Sequence, residues 1–172
     1  MGPGGPRERA MATSKKGLWK KGRGKLGVFE PLIGSWEAEA ESPMGRIRCT
    51  RTFSRILGGH RVLLEARWLI GDKVYAEHAI YGVDDSGALA FWSFTSDGKR
   101  SQGTIADGTD VHPEAIAFEA RMPAGLARMV YWPEADGATS WAVESKTKKG
   151  WNRFTHHHYV AAAARPASAD GH

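Results

Sequence analysis

The sequence predicts an all-β fold: a closed antiparallel up-and-down barrel of about ten strands with a short N-terminal helix. Three observations predict it. From Gly34 onward the chain runs in short segments of alternating or β-branched and aromatic residues, the period-two signature of half-buried strands. The links between segments are short and built from turn residues, such as Gly58-Gly59, Asp84-Asp85-Ser86-Gly87, Asp97-Gly98, Pro123-Ala124-Gly125 and Lys149-Gly150. Such links cannot carry the crossover that parallel neighbours require, so the sheet is an antiparallel meander. An open meander of this size leaves two long unpaired edges, and closure removes them.

The elements follow in order. Over residues 25–33, Leu26, Phe29, Leu32 and Ile33 are spaced for one apolar helical face, and Pro31 keeps the helix short, which predicts a plug or lid. Strands are expected near 35–41, 46–56, 61–70, 73–83, 88–95, 101–106, 115–121, 126–132, 139–146 and 151–161. Alternation assigns their faces. In 61–70, Val62, Leu64, Ala66, Trp68 and Ile70 form the buried face; in 115–121, Ile116, Phe118 and Ala120 do so, continuing to Met122. In 73–83 the more apolar face is Val74, Ala76, His78 and Ile80, opposite Tyr75, Glu77 and Tyr81. In 151–161 neither face is purely apolar. Phe154, His156 and His158 share one, and His157 and Tyr159 lie on the other.

The 172 residues (18.8 kDa) suit one domain with one core. The expected organisation is a flexible basic tail over 1–24, a barrel domain over 25–161 and a disordered tail over 162–172. The formal charge of +5 resides in residues 1–27, where eight basic residues face Glu8 alone; the rest of the chain carries −2. The body therefore gives no electrostatic reason for specific nucleic-acid binding, and the glycine-rich tail makes weak contacts with polyanions at most. No apolar stretch reaches the roughly 18 residues of a membrane span. With Cys49 as the one cysteine there is no disulfide framework, which fits a reducing, cytoplasmic compartment.

Catalytic motifs are absent. There is no nucleophile elbow, P-loop or dinucleotide fingerprint, and Glu37, Glu39 and Glu41 read as one solvated strand face rather than an acid–base pair. In Thr155-His156-His157-His158-Tyr159, consecutive side chains project to opposite faces, so only His156 and His158 can share an ion. A third ligand would have to come from His78 or Glu77 across the barrel. No resident metal is expected.

Several segments resemble a bacterial family of unknown function. These are Leu32-Ile33-Gly34-Ser35-Trp36, Leu57-Gly58-Gly59, Tyr81-Gly82-Val83-Asp84 with Gly87, Trp151-Asn152-Arg153-Phe154 and His158-Tyr159, spanning roughly 28–161. The resemblance implies a calycin-like barrel akin to lipocalins, fatty-acid-binding proteins and the haem-binding nitrobindins. The nitrobindin likeness implies a haem alternative, with iron held by His158, or by His156 on the same face. Gly34 and Trp36 match that family's G-x-W-x-G-x-G segment, but Ala38 and Ala40 stand where its later glycines belong.

The sequence thus leads to a non-enzymatic container that holds a small apolar molecule in its lumen. The expected contacts are Trp36, Trp68, His78, Trp92, Phe118, Trp132, Phe154, His156 and His158. A haem protein and an interaction scaffold with a filled core are the alternatives.

Overall fold

The computed structural model describes residues 17–162. Within them the chain forms a 3-10 helix, Lys25–Leu32, a single 3-10 turn, Leu57–Gly59, and ten strands: β1 Gly34–Ser42, β2 Gly45–Ile56, β3 Arg61–Ile70, β4 Lys73–Val83, β5 Leu89–Thr95, β6 Arg100–Ala106, β7 Ile116–Met122, β8 Gly125–Pro133, β9 Thr139–Thr147 and β10 Gly150–Ala161. Each strand pairs antiparallel with its sequence neighbours, and β1 pairs with β10, so the sheet is a closed barrel. The expected fold class is what the chain adopts, with strand ends within a residue or two of those read from the alternation. Of the tails expected over 1–24 and 162–172, residues 1–16 and 163–172 lie outside the described residues.

Closure rests on a short seam. Only Trp36↔Ala161 and Glu37↔Val160 pair between β1 and β10, reinforced by the Ala162 amide donating to the Ser35 carbonyl at 2.9 Å. A second thin seam separates β6 from β7, where pairing is confined to Thr104–Ala106 against Ala117–Glu119. There Gly103 is obligatory: a Cβ on it would stand 2.0 Å from the Glu119 carbonyl oxygen.

The two ends of the barrel differ. The 3-10 helix closes the end that carries the β2–β3, β4–β5, β6–β7 and β8–β9 connections. It inserts Phe29 and Leu32, both fully buried, against Phe53, Tyr81 and Phe118. The Phe29 ring lies 4.6 Å from Tyr81 and 5.9 Å from Phe118, within the range where offset and tilted aromatic pairs attract. The Trp36 indole donates to the Leu32 carbonyl at 2.8 Å and satisfies the end of the helix. Residues 17–24, read from the sequence as part of a flexible tail, cross this end, where the Glu114 carboxylate accepts the Leu18 and Trp19 amides.

Outside the barrel, the loop between β6 and β7 folds back over β7–β9. It is tied down by Arg128, whose guanidinium is almost fully buried and bonds both Asp110 oxygens and Glu144. Beneath it Ala117, Val130, Trp132 and Ala142 form a second, smaller core. The three glutamates of β1 face solvent as expected, with Glu37 paired to Arg48 and Glu39 and Glu41 to Arg46.

Truncating Phe29 to Ala empties the centre of the plug. The expected loss is about 3–5 kcal/mol in urea unfolding; a loss under about 1 kcal/mol would show that the helix does not carry this end of the core.

Candidate functional site

Parity sorts the candidate residues. The lumen receives the odd positions of β2, β4, β5, β8 and β9 and the even positions of β1, β3 and β7, as burial and cross-strand pairing both require. Trp36, Trp68 and Phe118 face inward. The assignment for β4 is corrected: Tyr75, Glu77, Ala79 and Tyr81 point in, and His78 points out toward Glu65. The apolar look of Val74, Ala76 and Ile80 misled, because a polar cluster inside the barrel had taken the other face. Trp92 lies outside, opposite Ile80, and Trp132 is buried outside, under the β6–β7 loop.

β10 is corrected likewise. A bulge between Arg153 and Thr155 leaves Phe154 as the extra residue, 61% exposed at the open end. Beyond the bulge Thr155, His157 and Tyr159 face inward, while His156 and His158 face outward. His156 bonds Ser140 and stacks on Trp132 with ring centres 5.2 Å apart; His158 lies 3.2 Å from Asp136. Neither imidazole reaches the lumen, so these residues do not fit a lumen haem. The inward His157 is wedged 5.4 Å from Trp141 and 6.1 Å from Tyr159, with no flat apolar slot beside it. The third metal ligand considered from sequence is not brought near: His78 faces outward and Glu77 inward, on the far wall.

The half of the lumen next to the plug is filled with aromatic rings. At mid-height stands a residue that the sequence reading passed over. The Arg51 side chain is fully buried, its guanidinium carbon 4.1 Å from the centre of Trp141 and within 5.7 Å of Trp68, Tyr131 and Tyr159. These ring faces attract a desolvated cation. Nη1 donates to the Tyr131 hydroxyl at 3.2 Å, but Nε and Nη2 have no partner among the described residues. The Tyr81 and Tyr159 hydroxyls and the Trp141 indole N–H are also without partners. Glu77 accepts the Ser93 hydroxyl at 2.7 Å and makes no ion pair with Arg51.

Burial works against the charge of Arg51, yet the surrounding Tyr131, Tyr159, Glu77 and Tyr81 oxygens hold its pKa above the ordinary value. Burial likewise pushes Tyr131 up to about 12. The interior therefore holds a cation among tyrosine hydroxyls, with the Glu77 carboxylate in the same lumen but beyond ion-pair distance. Orphaned buried donors cost about 1–3 kcal/mol each, and several of them converge here with no described residue to satisfy them. Beside it Cys49 lies 3.6 Å from His157 Nδ1. Burial raises the thiol and lowers the imidazole, which keeps the pair neutral.

Above this layer, at the end opposite the plug, lies a cavity of about 330 Å³. Its walls are apolar, chiefly Phe91, Phe118, Ala120, Met129, Val143 and Phe154. Met129 and Val143 stand two residues along β8 and β9 from Tyr131 and Trp141, so the cavity lies one inward-facing residue beyond the Arg51 cluster, whose own members do not line it. Arg51 was legible: in Cys49-Thr50-Arg51-Thr52-Phe53 it shares strand parity with two strongly apolar residues.

No family model matches the chain, and no curated protein is similar to it. The closed ten-strand antiparallel barrel is consistent with the calycin-like architecture that the resemblance implied.

Two outcomes follow. Arg51→Met replaces an under-bonded cation with an apolar chain of similar length, and urea unfolding should show it unchanged or more stable; a loss above about 2 kcal/mol would mean the protein already satisfies the guanidinium. The depressed pKa of His157, caused first by burial and then by Arg51 and His156, stabilises the fold above the unfolded-state value near 6.5. Stability is therefore lost as pH falls below that value, and the melting temperature of His157→Gln should fall less between about pH 7.5 and 5.5.

Proposed function

We propose that this protein is a non-covalent container for a small, largely apolar molecule held in the upper lumen. One observation carries the reading: a barrel packed solid in one half keeps an apolar cavity in the other, one inward-facing residue along β8 and β9 from the layer of the buried Arg51. A side chain packed there would bury more surface than the gap does, and well-filled cores are the norm. A cavity of about 330 Å³ suits a guest near the lower end of the usual ligand-pocket range. Its apolar walls give affinity, and Ser101 and Ser145 on its lining offer a guest polar contacts.

Of the residues expected from sequence, Trp36 and Trp68 line the lumen away from the cavity, while Phe118 and Phe154 are on its wall. The container reading assigns the protein no catalytic step. The unpaired Cys49 suits a cytoplasmic setting, and the resemblance to a bacterial calycin-like family suits the barrel.

The test is titration with 1-anilinonaphthalene-8-sulfonate, whose fluorescence rises in apolar surroundings, against wild type and Ala120→Trp, which fills the cavity. Saturable binding of one probe per chain, weakened at least about tenfold in Ala120→Trp with its circular dichroism unchanged, supports the container. Equal binding by both proteins would place the probe elsewhere and remove the reading.

A further inference from the structure

The barrel is electrically polar along its axis. Taking each connection with two residues of the strands on either side, the five at the open end contain Arg46, Lys73, Lys99, Arg100, Arg121, Lys146, Lys148 and Lys149. They contain only Glu41, Asp72 and Asp97 in opposition, a net of +5. The four at the plugged end contain Arg55 and Arg61 against Asp84, Asp85, Asp107, Asp110, Glu114, Glu134 and Asp136, a net of −5. All eight basic side chains of the open end are exposed. Arg46 pairs with Glu39 and Glu41, and Lys99 with Asp97; the other six have no carboxylate within reach among the described residues.

The same rim is studded with exposed apolar side chains. Met44 stands 69% exposed at the β1–β2 turn. Leu69 and Val74 pair across β3 and β4 and face solvent, Phe94 follows on β5, and Met122 and Phe154 flank the cavity mouth. Scattered surface hydrophobics are ordinary, but a ring of them interleaved with uncompensated cations at one pole is not.

We infer that the open end docks on an anionic phospholipid bilayer, basic side chains in the headgroup layer and the apolar ring dipping to the acyl boundary. A bilayer surface rewards both features at once, since cations gain from anionic headgroups and apolar side chains from shallow burial. A nucleic-acid backbone would reward the cations alone and gain nothing from Met44, Val74 or Phe94. The negative far pole orients the molecule mouth-first in the field of the membrane. Lys20, Lys21, Arg23 and Lys25 lie against that far pole and partly offset it, but they are on the wrong side to contribute to the rim. The docked orientation sets the cavity mouth on the membrane. This goes beyond the container reading and stands without it.

The experiment is flotation of the full chain with vesicles of phosphatidylcholine alone or mixed equally with phosphatidylglycerol. The expected result is binding to the mixed vesicles, at least about tenfold weaker to phosphatidylcholine or in about 0.5 M salt, where screening is strong. Lys148→Glu with Lys149→Glu should weaken it about tenfold, as should Met44→Ser with Phe94→Ser, both with unchanged circular dichroism. Asp85→Lys at the far pole should not weaken it. Absence of binding to the mixed vesicles overturns the inference. So does binding that both rim double variants retain in full, which would assign it to the N-terminal basic residues. Competition by duplex DNA combined with indifference to Met44→Ser and Phe94→Ser would make the rim a polyanion site and overturn it equally.

Discussion

Closure of the sheet is the constraint on which the rest depends. Once β1 meets β10, every strand has one face in a shared interior and one outside, and no residue can avoid the choice. The join is slight, two residue pairs and one further amide bond. It is held by what it encloses: Phe29, Phe53, Tyr81 and Phe118 fill one half of the lumen and touch strands all around the wall. The aromatic packing and the closed topology are therefore one cooperative object, since neither has a partner without the other.

Two buried arginines show what a barrel does with a charge. Arg128, on the outer face, is fully compensated by Asp110 and Glu144 and capped by Trp151 at 4.3 Å; it fastens a loop. Arg51, on the inner face, has ring faces and one hydroxyl but no carboxylate. A cation in a low-dielectric interior with donors to spare is costly as pure structure. The first arginine is explained by the protein around it. The second keeps two donor nitrogens that no described residue satisfies.

The polarity of the ends follows from the same topology. In an up-and-down barrel alternate connections fall at opposite poles, so a sequence that places lysine and arginine in every second turn and aspartate in the others builds a dipole. The 3-10 helix then closes the acidic pole, leaving the basic one open. Each pole thus has its own work: one completes the core, and the other meets whatever lies outside.

Chain length, turn chemistry and period-two patterning were enough by themselves to determine the fold class, the ten strands, the plug and the solvent-facing glutamates of β1, because those depend on neighbours along the chain. Face assignment was legible where one face was plainly apolar, as in β3 and β7. It failed in β4 and β10. In β4 the inward face carries Glu77 and Tyr81 to serve a polar interior, and in β10 a single extra residue at Phe154 shifts every histidine to the opposite side. Only the tertiary structure decided that Tyr81, Tyr131, Tyr159 and Trp141, from four separate strands, converge on Arg51, and that the cavity sits above them. Those contacts join residues as many as 108 apart, and pairwise approach over such distances is set by barrel closure and register, which no local pattern encodes.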